Sequence, residues 1–203
     1  MTKTGELRGE RQLVRSASHD PDAFRQLYRY YFRRVYAYIS YRVGRVQDAE
    51  DLTAETFLKA LEGLPHFRWR GKGSFAAWLF RIAHNLVSNF YRTEEKAPEP
   101  IPPERLPDLP GDELMPGDTL ARKELLARLR RLIGMLSPRQ QEIVTLRFFG
   151  GLRNKEIAAL LDLDERTVAA HLCRGVRKLK TRYEALAAQD GTAALIEREV
   201  SRG

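Results

Sequence analysis

The chain carries one cysteine, Cys173, among 203 residues. A single cysteine excludes an internal disulfide and any multi-cysteine metal site, and it suits a reducing cytoplasm. No apolar run approaches the roughly 20 residues that a membrane-spanning helix requires. The N-terminus, MTKTGELRGERQLVR, lacks the apolar core of a signal peptide. The expected location is therefore cytoplasmic, without membrane insertion. Histidine is also scarce. His19, His66, His84 and His171 are scattered, and no metal-spaced carboxylate–histidine cluster or phosphate-binding glycine loop appears. No cofactor, metal or catalytic residue is expected, and an enzyme acting on nucleic acid is the least favoured class. Strand patterns and internal repeats are missing too. The expected fold class is all-α: two small helical domains joined by a flexible linker, the second a helix-turn-helix domain.

What the chain has in excess is positive charge. The net charge is +8, and it is unevenly spread. Thr93 to Asp118 holds eight acidic residues against Lys96 and Arg105, a segment charge of −6, which leaves +14 for the remainder. A basic body attracts phosphate backbones and binds them in a salt-dependent way. Solubility alone is the plainer reading.

The acidic segment also marks the domain boundary. It contains seven of the ten prolines and no aromatic residue. Such a segment buries too little apolar surface to offset ordering, so residues 93–118 read as an extended linker. The expected division is a first domain over 1–92, a second over 119–184 and a tail over 185–203.

Beyond the linker, Asn154 to Lys180 reads NKEIAALLDLDERTVAAHLCRGVRKLK. Ile157, Leu160 and Leu161 form one apolar stripe. Val168, Leu172, Val176 and Leu179 form a second at helical intervals. Asp164 suits the N-cap of the second helix. This is the outline of a helix-turn-helix, which places its second helix in the major groove of DNA. Turning Val168 and Leu172 inward leaves Arg166, Ala169, Ala170, Cys173, Arg174 and Arg177 outward or flanking. Arg166 and Ala170 lie near the end that reaches base edges. Arg174, Arg177 and Lys178 lie where phosphate contacts are expected. A helical hairpin with a solvated basic face fits the same pattern. Upstream, Ser137-Pro138-Arg139-Gln140 reads as a capping-box start.

The first domain holds both tryptophans. Asp20-Pro21 marks a helix start, and Phe24, Leu27, Tyr28, Tyr31, Val35, Tyr38 and Ile39 recur at helical spacing over Ala23 to Val43. A second helix is expected from about Asp48 to Leu61. A third, Phe75 to Tyr91, follows Gly71 and Gly73, with Ser74 as its cap. Two features carry chemistry. Asp48, Asp51 and Glu55 lie close to one helix face. They read either as an amphipathic surface supported by a Glu55–Lys59 pair or as a docking site for a basic partner. The segment His66 to Gly73 alternates cations with aromatics. Such a mixture suits single-stranded DNA, where cations track phosphates and rings accept unstacked bases. Alternatively, Phe67 and Trp69 fold back into the core.

Taken together, DAFRQLYRYYFRRVYAYI, DAEDLTAETFLKAL, SFAAWLFRIAHNLVSNFYR and the block from Ser137 to Leu179 resemble the extracytoplasmic-function sigma factors, the small two-domain branch of the bacterial sigma-70 family. The similarity covers roughly residues 10–92 and 120–184. It implies a core RNA polymerase docking helix carrying Asp48, Asp51, Leu52, Glu55 and Phe57, with Asp51 and Glu55 as the contacts. It also implies minus-ten DNA binding and melting by Phe67, Arg68, Trp69, Arg70, Lys72, Arg81, His84, Asn85, Asn89 and Arg92. In the second domain it implies minus-thirty-five binding by Arg147, Lys155, Arg166, Thr167, Ala170, His171, Arg174, Arg177 and Lys178. The implied partners are core polymerase, promoter DNA as duplex and as single strand, and an anti-sigma factor.

The chain departs from the family pattern in places. Ala169 and Ala170 stand where basic or hydroxyl residues are frequent, His171 where arginine is frequent, and Asn89 where aspartate is frequent. Fewer polar tips imply shape readout or apolar contact with a thymine methyl. The competing reading is a stand-alone helix-turn-helix regulator that binds duplex DNA without polymerase.

Overall fold

A computed structural model of the chain describes residues 7, 9–43, 45–93, 128–129 and 131–190. Every regular element among them is helical: α1 (Glu10–Ser16), α2 (Pro21–Ser40), α3 (Val46–Gly63), a 3-10 turn (Leu64–His66), α4 (Ser74–Thr93), α5 (Pro138–Phe148), α6 (Asn154–Leu161) and α7 (Glu165–Asp190). The acidic linker and the end of the tail lie outside the described residues.

Local chemistry sets most boundaries. Asp20 caps α2 by accepting from the Asp22 backbone N–H at 2.9 Å, with Pro21 at the first helical position. Ser137 caps α5 through a capping box in which Gln140 reaches back to the Ser137 N–H at 3.3 Å. Asp164 accepts from the Thr167 N–H at 2.8 Å and opens α7. Ser74 differs from its expected role. It is the first residue of α4, and its Oγ accepts from the Arg70 N–H at 3.2 Å, fastening the preceding loop instead of capping the helix. The short α1 has no marked start in the sequence. Its Val14 is buried against the rest of the domain.

The first domain packs α1, α2, α3 and α4 around one aromatic and aliphatic core. Leu27, Tyr36, Tyr38, Ile39, Phe75, Leu79 and Phe80 are almost fully buried there. Rings meet edge-on, Tyr38 against Phe80 at 5.6 Å and Tyr31 against Phe75 at 5.4 Å. In the second domain, Ile143 and Leu146 of α5, Ile157 and Leu161 of α6 and Val168 of α7 form the interior. Gly175 on α7 lets α5 approach closely: a β-carbon there would stand 3.1 Å from Val144 Cγ2. The two domains are in contact, α2 with α5 and α4 with α6.

Candidate nucleic-acid interface

The helix-turn-helix is built as its spacing implied. α6 ends at Asp162, which adopts the left-handed conformation (φ 53°) that caps the helix and turns the chain. Three residues later α7 begins. Its Val168 is buried, while Arg166, Ala169, Ala170, Cys173, Arg174 and Arg177 are exposed. One face of α7 therefore presents cations and small residues to solvent.

Other members of the expected set are engaged. The Thr167 hydroxyl donates to Asp164 Oδ2 at 2.5 Å and so completes the cap. Those contacts hold the Asp164 carboxyl below its usual range. Lys178 donates to the Met135 carbonyl at 3.1 Å. Arg147 donates to the Leu152 carbonyl at 3.0 Å, bracing the turn between α5 and α6. Lys155 is exposed, and His171 is half-buried. Desolvation, with the Arg174 and Arg139 charges, holds the His171 imidazole below its usual value, so it is neutral near pH 7.

On α3, Asp51 and Glu55 are exposed, and Glu55 pairs with Lys59 at 3.4 Å. Asp48 is half-buried. Leu52 and Phe57 lie beneath that surface, and the Phe57 ring meets Tyr28 at 4.7 Å. The two apolar members of the expected docking set thus support the acidic face from the interior.

In the loop before α4, Arg68, Arg70 and Lys72 are exposed and the rings turn inward. Phe67 packs on Trp78 at 4.9 Å and on Phe75 at 5.7 Å, and Trp69 is half-buried against the core. The loop therefore offers cations outward and rings inward. Along α4, Asn85, Asn89 and Arg92 are exposed. Arg81 and His84 instead face the second domain. Arg81 donates to the Ala159 carbonyl at 3.4 Å, and His84 Nδ1 lies 3.1 Å from Glu142 Oε1.

Glu142 had no signal in the sequence, because its partners are remote along the chain. It is buried on α5, with Arg42 at 3.1 Å and Arg139 at 3.2 Å besides His84. Burial pushes its carboxyl up, but His84, Arg42 and Arg139 outweigh burial and hold it below the usual carboxylate range. A cleft of about 720 Å³ adjoins this cluster, lined by Arg42, His84, Arg139 and Glu142 among others. Among the described residues no helix is long and apolar enough to cross a membrane.

Two helical domains, the second a helix-turn-helix with a basic outer face, define a DNA-binding class. Residues 27–97 match the model of sigma-70 region 2, and residues 126–179 match that of sigma-70 region 4. The chain is 39% identical over 165 residues to the ECF RNA polymerase sigma factor BldN of Streptomyces coelicolor, covering 81% of this chain and 62% of that protein. It is 34% identical over 161 residues to the RNA polymerase sigma factor YlaC of Bacillus subtilis, covering 78% of this chain and 91% of that one. The solved structure of CnrH in complex with the cytosolic domain of CnrY superposes with a TM-score of 0.58 at 26% identity, covering 87% of this chain and 97% of that chain. The sigma factor RpoE of Bartonella quintana, in complex with the anti-sigma factor NepR, shares the fold with a TM-score of 0.58 at 19% identity, covering 79% of this chain and 96% of that chain. The chain belongs to the extracytoplasmic-function branch of the sigma-70 family.

Proposed function

We propose that the protein is the promoter-recognition subunit of a bacterial RNA polymerase. The observation that carries this reading is one chain holding both a region 2 domain and a region 4 helix-turn-helix whose α7 presents Arg166, Ala170, Arg174 and Arg177 outward. In this reading Asp51 and Glu55 dock on core polymerase. α7 enters the major groove at the minus-thirty-five element. The cations before α4, with the exposed polar residues of α4, hold unpaired bases of the minus-ten element. Trapping unpaired bases shifts the duplex toward its open form, because the site binds only the open state. The protein makes no covalent change itself, and nucleotide transfer stays with polymerase. Its place is the cytoplasm, and an anti-sigma factor is the proposed inhibitor.

A binding experiment tests this reading. The protein together with core polymerase should protect two upstream elements of a promoter from cleavage, and the protein alone should protect neither. Protection of duplex DNA by the free protein, unchanged by polymerase, would instead identify a stand-alone regulator.

A further inference from the structure

The region between the two domains carries more than packing. Arg34 of α2 donates through Nε to the Phe149 carbonyl at 2.7 Å and through Nη2 to the Gly150 carbonyl at 2.8 Å. Its guanidinium lies over the Tyr30 and Tyr31 rings at 5.2 and 5.0 Å, which fix its direction. Gly151 completes the seat. It has φ +65°, and a β-carbon there would stand 2.5 Å from Arg34 Nη2. Beside this clamp the Phe149 ring stacks on Tyr41 at 5.4 Å and 9°. On the other side of the interface Glu142 enters between Arg42 and His84, both of the first domain. The Tyr38 hydroxyl stands 3.2 Å from His84 Nδ1 and orients the ring.

These contacts place the second domain over Arg81 and His84 on α4. They also hold the two domains side by side. Minus-ten and minus-thirty-five elements are separated by about 25 base pairs, roughly 85 Å of duplex at about 3.4 Å per pair. Domains joined by contacts near 3 Å cannot occupy both elements at once.

We propose that the free protein rests in a closed state, clamped by Arg34 on the α5–α6 turn and pinned by Glu142 between Arg42 and His84, and that core polymerase must part the domains before DNA is engaged. This rests on the sigma reading above. The device suits reversal. Arg42 Nε is buried without a hydrogen-bond partner among the described residues, so parting the domains returns it to water. Glu142 has its ion-pair partners across the boundary as well as Arg139 on its own helix, so it too is rehydrated on opening.

The test uses the full-length chain with one dye on the native exposed thiol of Cys173 and a second on R11C, an exposed position of α1. Energy transfer should be high in the free protein. It should fall in E142Q and in R34A, and on adding core polymerase to the parent. Unlabelled E142Q and R34A should bind a random-sequence single-stranded 20-mer about tenfold more tightly, because a closed state reduces apparent affinity by the open fraction. Both variants should keep parental helicity and a cooperative melt. If either does not, R42Q tests the same pin from the first domain. Low transfer in the free parent would overturn the proposal. So would high transfer that none of the variants lowers. Closure that core polymerase leaves unchanged, with run-off activity intact, overturns the release step. Closure with no polymerase binding at all leaves the closed state standing and removes the sigma reading instead.

Discussion

The Thr167 backbone N–H donates to Asp164 Oδ1 at 2.8 Å, so the residue that ends the helix-turn-helix turn also starts the DNA-facing helix. Replacing Asp164 with alanine should lower the thermal midpoint of the second domain and weaken duplex binding together. The effect has a defined pH dependence. The Thr167 hydroxyl and backbone contacts depress the carboxyl in the folded state. Its contribution is therefore complete above the ordinary aspartate value of about 3.9 and is lost as pH falls through the depressed value. Paired melts of the parent and D164A should differ fully at pH 7 and pH 5, and the difference should shrink below about pH 4.

On α3 the surface and the interior should separate cleanly. The double charge reversal D51K/E55K alters two exposed positions. It should reduce core polymerase affinity by at least about tenfold and move stability by no more than about 0.5 kcal/mol per site. Phe57→Ala removes a buried ring and should cost about 3–5 kcal/mol of folding stability. Unchanged polymerase affinity in the double variant would remove those two residues from the docking site.

These residues also show what sequence pattern can carry. α2 and α5 were legible because Asp20-Pro21 and Ser137-Pro138-Arg139-Gln140 encode their own starts within four residues. The turn at Asp162 and the cap at Asp164 were legible for the same reason. Spacing did not separate Leu52 and Phe57 from the acidic face above them, since a motif marks a helix segment and not which side is buried. The loop before α4 left two outcomes open, and packing decided them: Phe67 turned to Trp78 while Arg68 and Arg70 stayed out. Least legible were Arg34, Arg42 and Glu142. Arg34 reaches a carbonyl 115 residues away, and no local rule encodes such a pairing.

On α7, Arg174 is exposed and lies well along the helix, where a phosphate contact is expected. Arg174→Ala should weaken binding of the polymerase complex to all promoters alike and reduce the salt slope by about 1. Arg166→Ala, near the start of the helix, should relax sequence preference at one position, at a cost of about 1–3 kcal/mol. Binding titrations against salt, on matched and altered promoters, separate the two roles.

The turn after α5 leaves no room for a side chain at Gly150. A β-carbon there would stand 2.4 Å from the Leu146 carbonyl oxygen and 3.2 Å from Leu152 Cγ. Gly150→Ala should destabilise the second domain by about 1–3 kcal/mol, because the nearest obstacle is backbone and cannot rotate aside. Denaturant melts of the parent and the variant measure this directly.

Run-off transcription tests the central claim most directly: bacterial core polymerase on a genomic fragment library, with and without this protein. The account predicts new, defined start sites that share two upstream elements and vanish with D51K/E55K. No new starts, while the free protein still binds duplex fragments, would contradict it.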